Sequence, residues 1–185
     1  TRTQHELFSK FDAFNQKEYI DLAEHCKTKN IDFLSTPFDL DCLDWLIPLM
    51  PSIKIASADL NNYLLLEAIC SFGKPVILSV GASSDQEIID AVSFIRKHTE
   101  SKVTLLHCML FYPTPKQNAF LGRIKDLHHL TLKMDRVDIG YSDHISPDVA
   151  NNDQLIASVC LGAKVIEKHY TFDRNREGND HYHAL

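Results

Sequence analysis

The sequence predicts an α/β protein that forms part of a (β/α)8 (TIM) barrel, with about six strand–helix units present. Three observations lead to this prediction. Short apolar runs rich in β-branched residues recur along the chain. Amphipathic segments lie between them, and strands that alternate with helices form parallel βαβ units. No GxGxxG or Walker A pattern follows any run, which disfavours a nucleotide-binding doubly wound sheet.

The predicted strands are apolar runs of five or six residues, too short for buried helices. They occupy residues 31–36, 53–57, 75–79, 103–108, 137–142 and 165–169. Most of them end in a hydroxyl, amine or imidazole side chain. Because the carboxyl ends of parallel barrel strands meet at one rim, these polar side chains are expected to lie close together there.

Helix signals fill the gaps between the strands. Ser84 and Glu87 have the spacing of a capping box at the start of a helix with an apolar stripe. Segments 18–27, 41–46 and 61–70 are also predicted helices. Segment 152–161 is expected to end at Gly162. Its predicted buried face is apolar and consists of Leu155, Ile156, Val159 and Cys160.

Length indicates that the barrel is incomplete. A (β/α)8 barrel usually takes about 250 residues, whereas this chain has 185. We therefore expect one partial barrel domain, residues 1–185, without an N-terminal piece of about two units. The opening residues 1–6 are typical of a loop inside a domain, and no internal linker is evident.

Composition excludes several classes of protein. The net charge is -6 and no Lys/Arg cluster occurs, which disfavours nucleic-acid binding. Five cysteines without a CxxC pair are expected to be buried free thiols in a reducing compartment. No apolar run approaches the roughly 18 residues of a membrane span, and no signal peptide opens the chain. These features predict a soluble cytoplasmic protein with no membrane partner.

Lys54 is the most informative charged residue, because it stands between Ile53 and Ile55 and faces the opposite way. Such a residue points into a barrel, where an ammonium group is costly without an anion. It could be a Schiff-base lysine, a clamp for phosphate or carboxylate, or half of a structural ion pair with an acid such as Glu167. Serines at the same rim favour the anion clamp; they are Ser57, Ser79 and Ser142.

Two histidines, His144 and His169, end the last two predicted strands. Neutral imidazoles bind divalent transition ions, and two protein ligands would leave an open coordination sphere. The alternative is a pair of hydrogen-bonded structural histidines. Asp143 could hold a ligand in place or contact a substrate, and Asp180 follows in a polar loop where it could support the site. His181 and His183 are expected only to decorate that loop.

These motifs resemble the sialic acid synthase family, the phosphoenolpyruvate-condensing nonulosonate synthases. The similarity keeps its order and spacing from about residue 31 to the end of the chain. The matching motifs are FLSTPF at 33–38, KIAS at 54–57, KPVILS at 74–79, LHC at 106–108, YPTP at 112–115, GYSDH at 140–144, IEKH at 166–169 and GND at 178–180.

The resemblance implies a (β/α)8 barrel followed by an antifreeze-like domain, in a full-length protein that is a homodimer. It implies condensation of phosphoenolpyruvate with an N-acylated hexosamine such as N-acetylmannosamine, assisted by Mn²⁺ or Mg²⁺. His144 and His169 would hold the metal, and Asp59 and Asp180 would contact the sugar or its water. Phosphoenolpyruvate would be bound by six residues: Thr36, Lys54, Ser57, Ser79, Tyr112 and Ser142.

Several positions depart from the family pattern. Asp59 stands where the best-known relatives have glutamate, and Leu110 where some have a polar residue. Val80 and Ala82 replace the more common neighbours of Ser79. Three alternatives stay open: a related phosphoenolpyruvate aldol enzyme that makes a ketodeoxy sugar acid, a class I aldolase that uses Lys54, and a partial barrel without catalytic activity.

Overall fold

The computed structural model describes residues 3, 6, 9, 13–147, 152–178 and 180–185. Asn179 of the predicted loop motif and most of the opening residues lie outside this set. The described part contains one five-stranded sheet. Its strands are β1 (Ile53–Ile55), β2 (Val76–Ser79), β3 (Val103–His107), β4 (Val137–Asp143) and β5 (Ile166–Lys168).

All four strand pairs are parallel, and each strand pairs with the next one in sequence. This order has no reversal point, whereas a doubly wound sheet has one. The sheet is therefore the open, sequential arrangement expected of part of a barrel. All five strands lie within predicted runs or extend them by one residue, so the α/β prediction is confirmed.

Six α-helices lie within the described residues: α1 (Gln16–Thr28), α2 (Leu43–Leu46), α3 (Tyr63–Cys70), α4 (Asp85–His98), α5 (Arg123–Leu130) and α6 (Asp153–Cys160). Short 3-10 helices follow at Ile47–Leu49, Ser57–Asp59 and Lys116–Asn118. None of these helices is long and apolar enough to cross a membrane.

Helix α4 begins as predicted. The Ser84 backbone N–H donates to Glu87 Oε2 at 2.8 Å, and the Glu87 N–H donates back to Ser84 Oγ at 3.4 Å. The apolar stripe behind this capping box is fully buried against the sheet and consists of Ile88, Ala91, Val92 and Ile95. Together with the outward side chains of β1–β4, this stripe forms the core.

The predicted strand at 31–36 is wrong, because this described segment has no strand and pairs with no neighbour. Ile31 is 61% exposed and Leu34 is 46% exposed, so these apolar residues do not face the core. The Ser35 N–H lies 3.0 Å from Met50 Sδ instead of bonding to β1. The run 31–36 therefore makes no ladder of backbone hydrogen bonds with β1 and is not a strand.

The predicted buried face of α6 is wrong at three of its four residues, and only Leu155 packs against the core. Ile156, Val159 and Cys160 are exposed, and the buried residues are Gln154 and Ser158. The reason is a tertiary hydrogen bond: Gln154 Nε2 donates to the buried Asp143 carboxylate at 2.9 Å. Gly162 does follow the helix with φ +105, as its predicted C-terminal role requires.

All five cysteines are free, as predicted, but their burial differs from the expectation. Only Cys70 and Cys108 are buried, whereas Cys26 and Cys42 are partly exposed and Cys160 is exposed. Cys160 is exposed because α6 turns its polar face to the sheet.

Candidate functional site

A cavity of about 470 Å³ lies at the carboxyl ends of the strands. It is lined by all the predicted site residues except Asp59: Thr36, Lys54, Ser57, Ser79, Tyr112, Ser142, His144, His169 and Asp180. A larger cavity of about 610 Å³ lies beside α1 and contains none of them. The smaller cavity is therefore the candidate functional site, because the polar strand ends converge there.

Lys54 projects from β1 into this cavity, and its side chain is only 13% exposed. Its Nζ donates to Ser79 Oγ on the neighbouring strand at 2.9 Å. The same Nζ lies 3.6 Å from Glu167 Oε2 on β5. The ammonium group therefore has a hydroxyl and a carboxylate as partners, and the ion pair considered from the sequence is present.

Glu167 is a site residue that the sequence identified only as a possible ion-pair partner. It lies opposite Ser142 in the β4–β5 register, and Ser142 Oγ donates to Glu167 Oε1 at 2.5 Å. Its carboxylate thus links the lysine of β1 to the serine of β4 across the cavity. Strand alternation could have found it, since Glu167 and His169 are two residues apart in the predicted strand 165–169 and would share one face of it.

His144 is held in one orientation by the main chain. Its Nδ1 lies 2.7 Å from the carbonyl oxygen of Met109, which can only accept a hydrogen bond. Nδ1 therefore carries the proton, which leaves the Nε2 lone pair available, because Ser142 Oγ, 3.3 Å away, donates its proton to Glu167 instead. Burial lowers the pKa of the His144 imidazole, which favours the neutral ring that a metal requires.

Tyr112 stacks on His144 with ring centroids 4.0 Å apart. Partial burial is the main cause that raises the pKa of Tyr112 to about 12. The phenol therefore stays protonated at neutral pH and can donate a hydrogen bond into the cavity.

His169 lies between two other histidines. Its ring centroid is 5.4 Å from that of His144 and 4.8 Å from that of His183. The first distance allows both predicted ligands to approach a single ion. A second group is formed by His169, Asp180 and His183. Each offers one ligand atom, and these three atoms lie within 4.8 Å of one another.

His183 was expected to decorate the loop rather than bind metal, but it is not a surface residue of that loop, because its side chain is 0% exposed. The Leu185 N–H donates to the His169 carbonyl at 2.9 Å, and the Thr171 N–H donates to the Leu185 carbonyl at 3.0 Å. These backbone bonds fold the final residues against the end of β5. His181 is only partly buried, and its Nδ1 lies 2.6 Å from Thr171 Oγ1.

Asp143 has a different environment from the one considered for it. It is fully buried and does not line the cavity. Its carboxylate accepts from Tyr141 Oη at 2.8 Å, Gln154 Nε2 at 2.9 Å and Lys168 Nζ at 2.6 Å. Asp143 therefore holds the ends of β4 and β5 together and lies outside the cavity lining.

Asp59 is the one predicted site residue outside the cavity lining. It ends the 3-10 helix Ser57–Asp59, and its Oδ1 accepts from Asn62 Nδ2 at 3.2 Å. Ser57, at the start of the same turn, does line the cavity.

Comparison with known proteins gives consistent relatives. A model described as the NeuB family matches residues 1–185. An uncharacterized protein of Methanocaldococcus jannaschii is 42% identical over 96% of this chain and 50% of its own length. The N,N'-diacetyllegionaminic acid synthase of Campylobacter jejuni is 38% identical over 91% of this chain and 49% of its own.

A solved structure is also similar. The N-acetylneuraminic acid (sialic acid) synthetase of Leptospira borgpetersenii, in complex with citrate, superposes with a TM-score of 0.81 at 39% identity. The match covers 93% of this chain and 57% of that one. The chain thus spans about half the length of the curated relatives that it matches.

Proposed function

Because this chain belongs to the NeuB family, we propose that it condenses phosphoenolpyruvate with an N-acylated hexosamine to form a nonulosonic acid. The balanced reaction consumes one water and releases inorganic phosphate. The observation that carries the proposal is the single cavity lined by both the Lys54–Ser79 pair and the two histidines, His144 and His169. Residues 1–185 would be the partial barrel of this enzyme, which would act as a homodimer when full-length.

The anionic substrate would bind on the β1–β2 side of the cavity. Lys54 Nζ would supply positive charge, and its Ser79 partner would add a hydroxyl donor. Tyr112, with its protonated phenol, would add a third donor. Other hydroxyls at the rim would complete the set: Thr36, Ser57 and Ser142. These groups would orient phosphoenolpyruvate and retain phosphate when its C–O bond breaks.

A divalent cation, Mn²⁺ or Mg²⁺, would be held by His144 and His169. The donor set fits, because the Met109 carbonyl leaves His144 Nε2 free as a ligand. When bound, such an ion supplies Lewis acidity toward the sugar aldehyde. Asp180 at the rim would accept hydrogen bonds from the sugar or from water.

Asp59 would serve the sugar or the reacting water from outside the present cavity lining. It ends the 3-10 turn that Ser57 begins, and its carboxylate accepts a hydrogen bond from Asn62. We propose that Asp59 contacts the acceptor sugar or the reacting water rather than phosphoenolpyruvate.

The experiment that tests this function measures phosphate released from phosphoenolpyruvate. Release is expected only with both N-acetylmannosamine, or a related N-acyl hexosamine, and Mn²⁺ present. Leaving out the sugar is the control for simple hydrolysis. Absence of sugar-dependent release with every N-acyl hexosamine tested would contradict the proposal.

A Schiff-base aldolase is the alternative that the geometry disfavours. Lys54 Nζ is bonded to Ser79 and paired with Glu167, which are partners suited to an ammonium group. Borohydride with a carbonyl substrate would trap a covalent adduct at Lys54 if an imine formed. We expect no adduct.

A further inference from the structure

We propose that His183 is a further imidazole ligand of the cation that His169 would hold, with the Asp180 carboxylate beside them. This inference rests on the metal dependence in the proposed function and deepens it. It predicts a site selective for ions that accept nitrogen ligands, such as Mn²⁺, Co²⁺ and Zn²⁺, over Mg²⁺.

The first observation is an unsatisfied buried group. His183 is 0% exposed, and neither Nδ1 nor Nε2 has a hydrogen-bond partner among the residues that the structure describes. Buried polar groups nearly always have partners, because leaving one unpaired is costly. A buried imidazole with no described partner for either nitrogen, close to His169 and Asp180 of the cavity lining, is therefore a group that lacks its ligand.

The second observation is the identity of its neighbours. The rings around His183 are those of His169, Tyr182 and Tyr112, with centroids 4.8, 4.9 and 5.7 Å away. Tyr182 Oη donates its proton to the Tyr112 carbonyl at 2.5 Å, so this hydroxyl does not donate to His183. The described neighbours thus enclose the His183 ring without satisfying its nitrogens.

The third observation is distance. Ligand atoms of His169, Asp180 and His183 lie within 4.8 Å of one another. Two ligands at about 2.1 Å from one ion are separated by at most about 4.2 Å. Side-chain rotations that move each atom by less than about 1 Å would close the set around an ion.

The backbone holds His183 in place for this role. The backbone bonds that join Leu185 to His169 and to Thr171 anchor the chain two residues after His183. A ligand held in this way needs little reorganisation when an ion binds. The His169 ring would then lie between the rings of His144 and His183 in the ligand set.

The test compares Mn²⁺ binding by the wild-type chain with binding by His183→Phe, measured by calorimetry without substrates. Phe keeps the ring volume in the buried site but has no ligand nitrogen. We expect the dissociation constant to rise by about tenfold or more. His183→Gln is a second variant that protects against misfolding of the first, and His129→Phe, on the exposed face of α5, is the matched control.

Pulsed electron paramagnetic resonance of the Mn²⁺ complex counts coordinated imidazole nitrogens directly. The wild type is expected to have one more than His183→Phe. Equal counts, or dissociation constants within twofold for folded variants, would overturn the His183 assignment and leave the two-histidine proposal intact. A wild-type chain that binds no Mn²⁺ would overturn both proposals.

Discussion

Two polar clusters at the same rim of the sheet contrast sharply. In the Asp143 cluster every oxygen of the buried carboxylate accepts a hydrogen bond. In the cluster of His169, Asp180 and His183, a fully buried imidazole has no hydrogen-bond partner within the described part of the chain. The contrast teaches that burial alone does not mark function. Satisfied groups hold the strand ends together, whereas unsatisfied groups indicate a place for a ligand.

The largest effect is expected from breaking the satisfied cluster. Asp143→Asn would leave Lys168, whose side chain is 8% exposed, without its counter-ion. We expect a loss of about 3–5 kcal/mol in the free energy of unfolding, because an uncompensated charge stays buried. Urea denaturation measures this loss.

The control for this prediction removes both charges. Asp143→Leu combined with Lys168→Met should recover much of the lost stability, since no charge then remains buried. A single Asp143→Asn variant as stable as the wild type would contradict the structural role given to this cluster.

The next largest effect concerns the ligand cluster. His144→Ala should keep the fold, lower the affinity for Mn²⁺ by about a hundredfold and abolish turnover. Circular dichroism checks the fold and calorimetry checks the binding. Metal-dependent activity retained in this variant would refute the ligand assignment.

A smaller effect is expected at the anion side of the cavity. Lys54→Ala removes the ammonium group that donates to Ser79. Phosphoenolpyruvate should bind about tenfold or more weakly, because a charge-assisted hydrogen bond contributes about 1.5–3 kcal/mol. Lys125→Ala, at an exposed position of α5, is the control. An unchanged dissociation constant by calorimetry would reject the role of Lys54.

The smallest expected effect is a dependence of stability on pH that comes from a buried, hydrogen-bonded histidine. Burial lowers the pKa of His107, whose Nε2 lies 2.8 Å from the Ala119 carbonyl. The unfolded chain takes up this proton near pH 6.5 and the folded chain only at lower pH. Stability is therefore full above pH 6.5 and falls as the pH decreases toward the folded pKa.

His107→Asn should reduce the dependence of unfolding free energy on pH between 7.5 and 5.5, as measured by urea titrations at each pH. His129→Asn, at an exposed position, should leave the dependence unchanged. A slope that is identical in wild type and His107→Asn would contradict the assigned shift.

Local signals made much of this fold predictable. The capping box at Ser84 and the β-branched runs of β1–β4 depend on nearby residues, so they could be identified from sequence. The orientation of α6 could not, because it follows from the contact between Gln154 and Asp143, eleven residues apart. The run 31–36 has strand composition but lacks a pairing neighbour, which composition does not reveal.

The site shows the same division. Lys54 and the two strand-end histidines were visible, because strand alternation and strand ends fix where such residues point. His183 was missed because its burial depends on backbone bonds between Leu185 and the end of β5. The position of Glu167 between Lys54 and Ser142 could not be predicted, because these two partners belong to different strands.

The contact between His144 and the Met109 carbonyl has a practical consequence for mutagenesis. Any side chain at position 109 leaves that main-chain oxygen in place, so an alanine scan would pass over it. Replacing the following peptide linkage by an ester, which weakens the carbonyl as an acceptor, is the change that would free the ring. The donor strength of this imidazole is thus encoded in the path of the backbone rather than in a replaceable side chain.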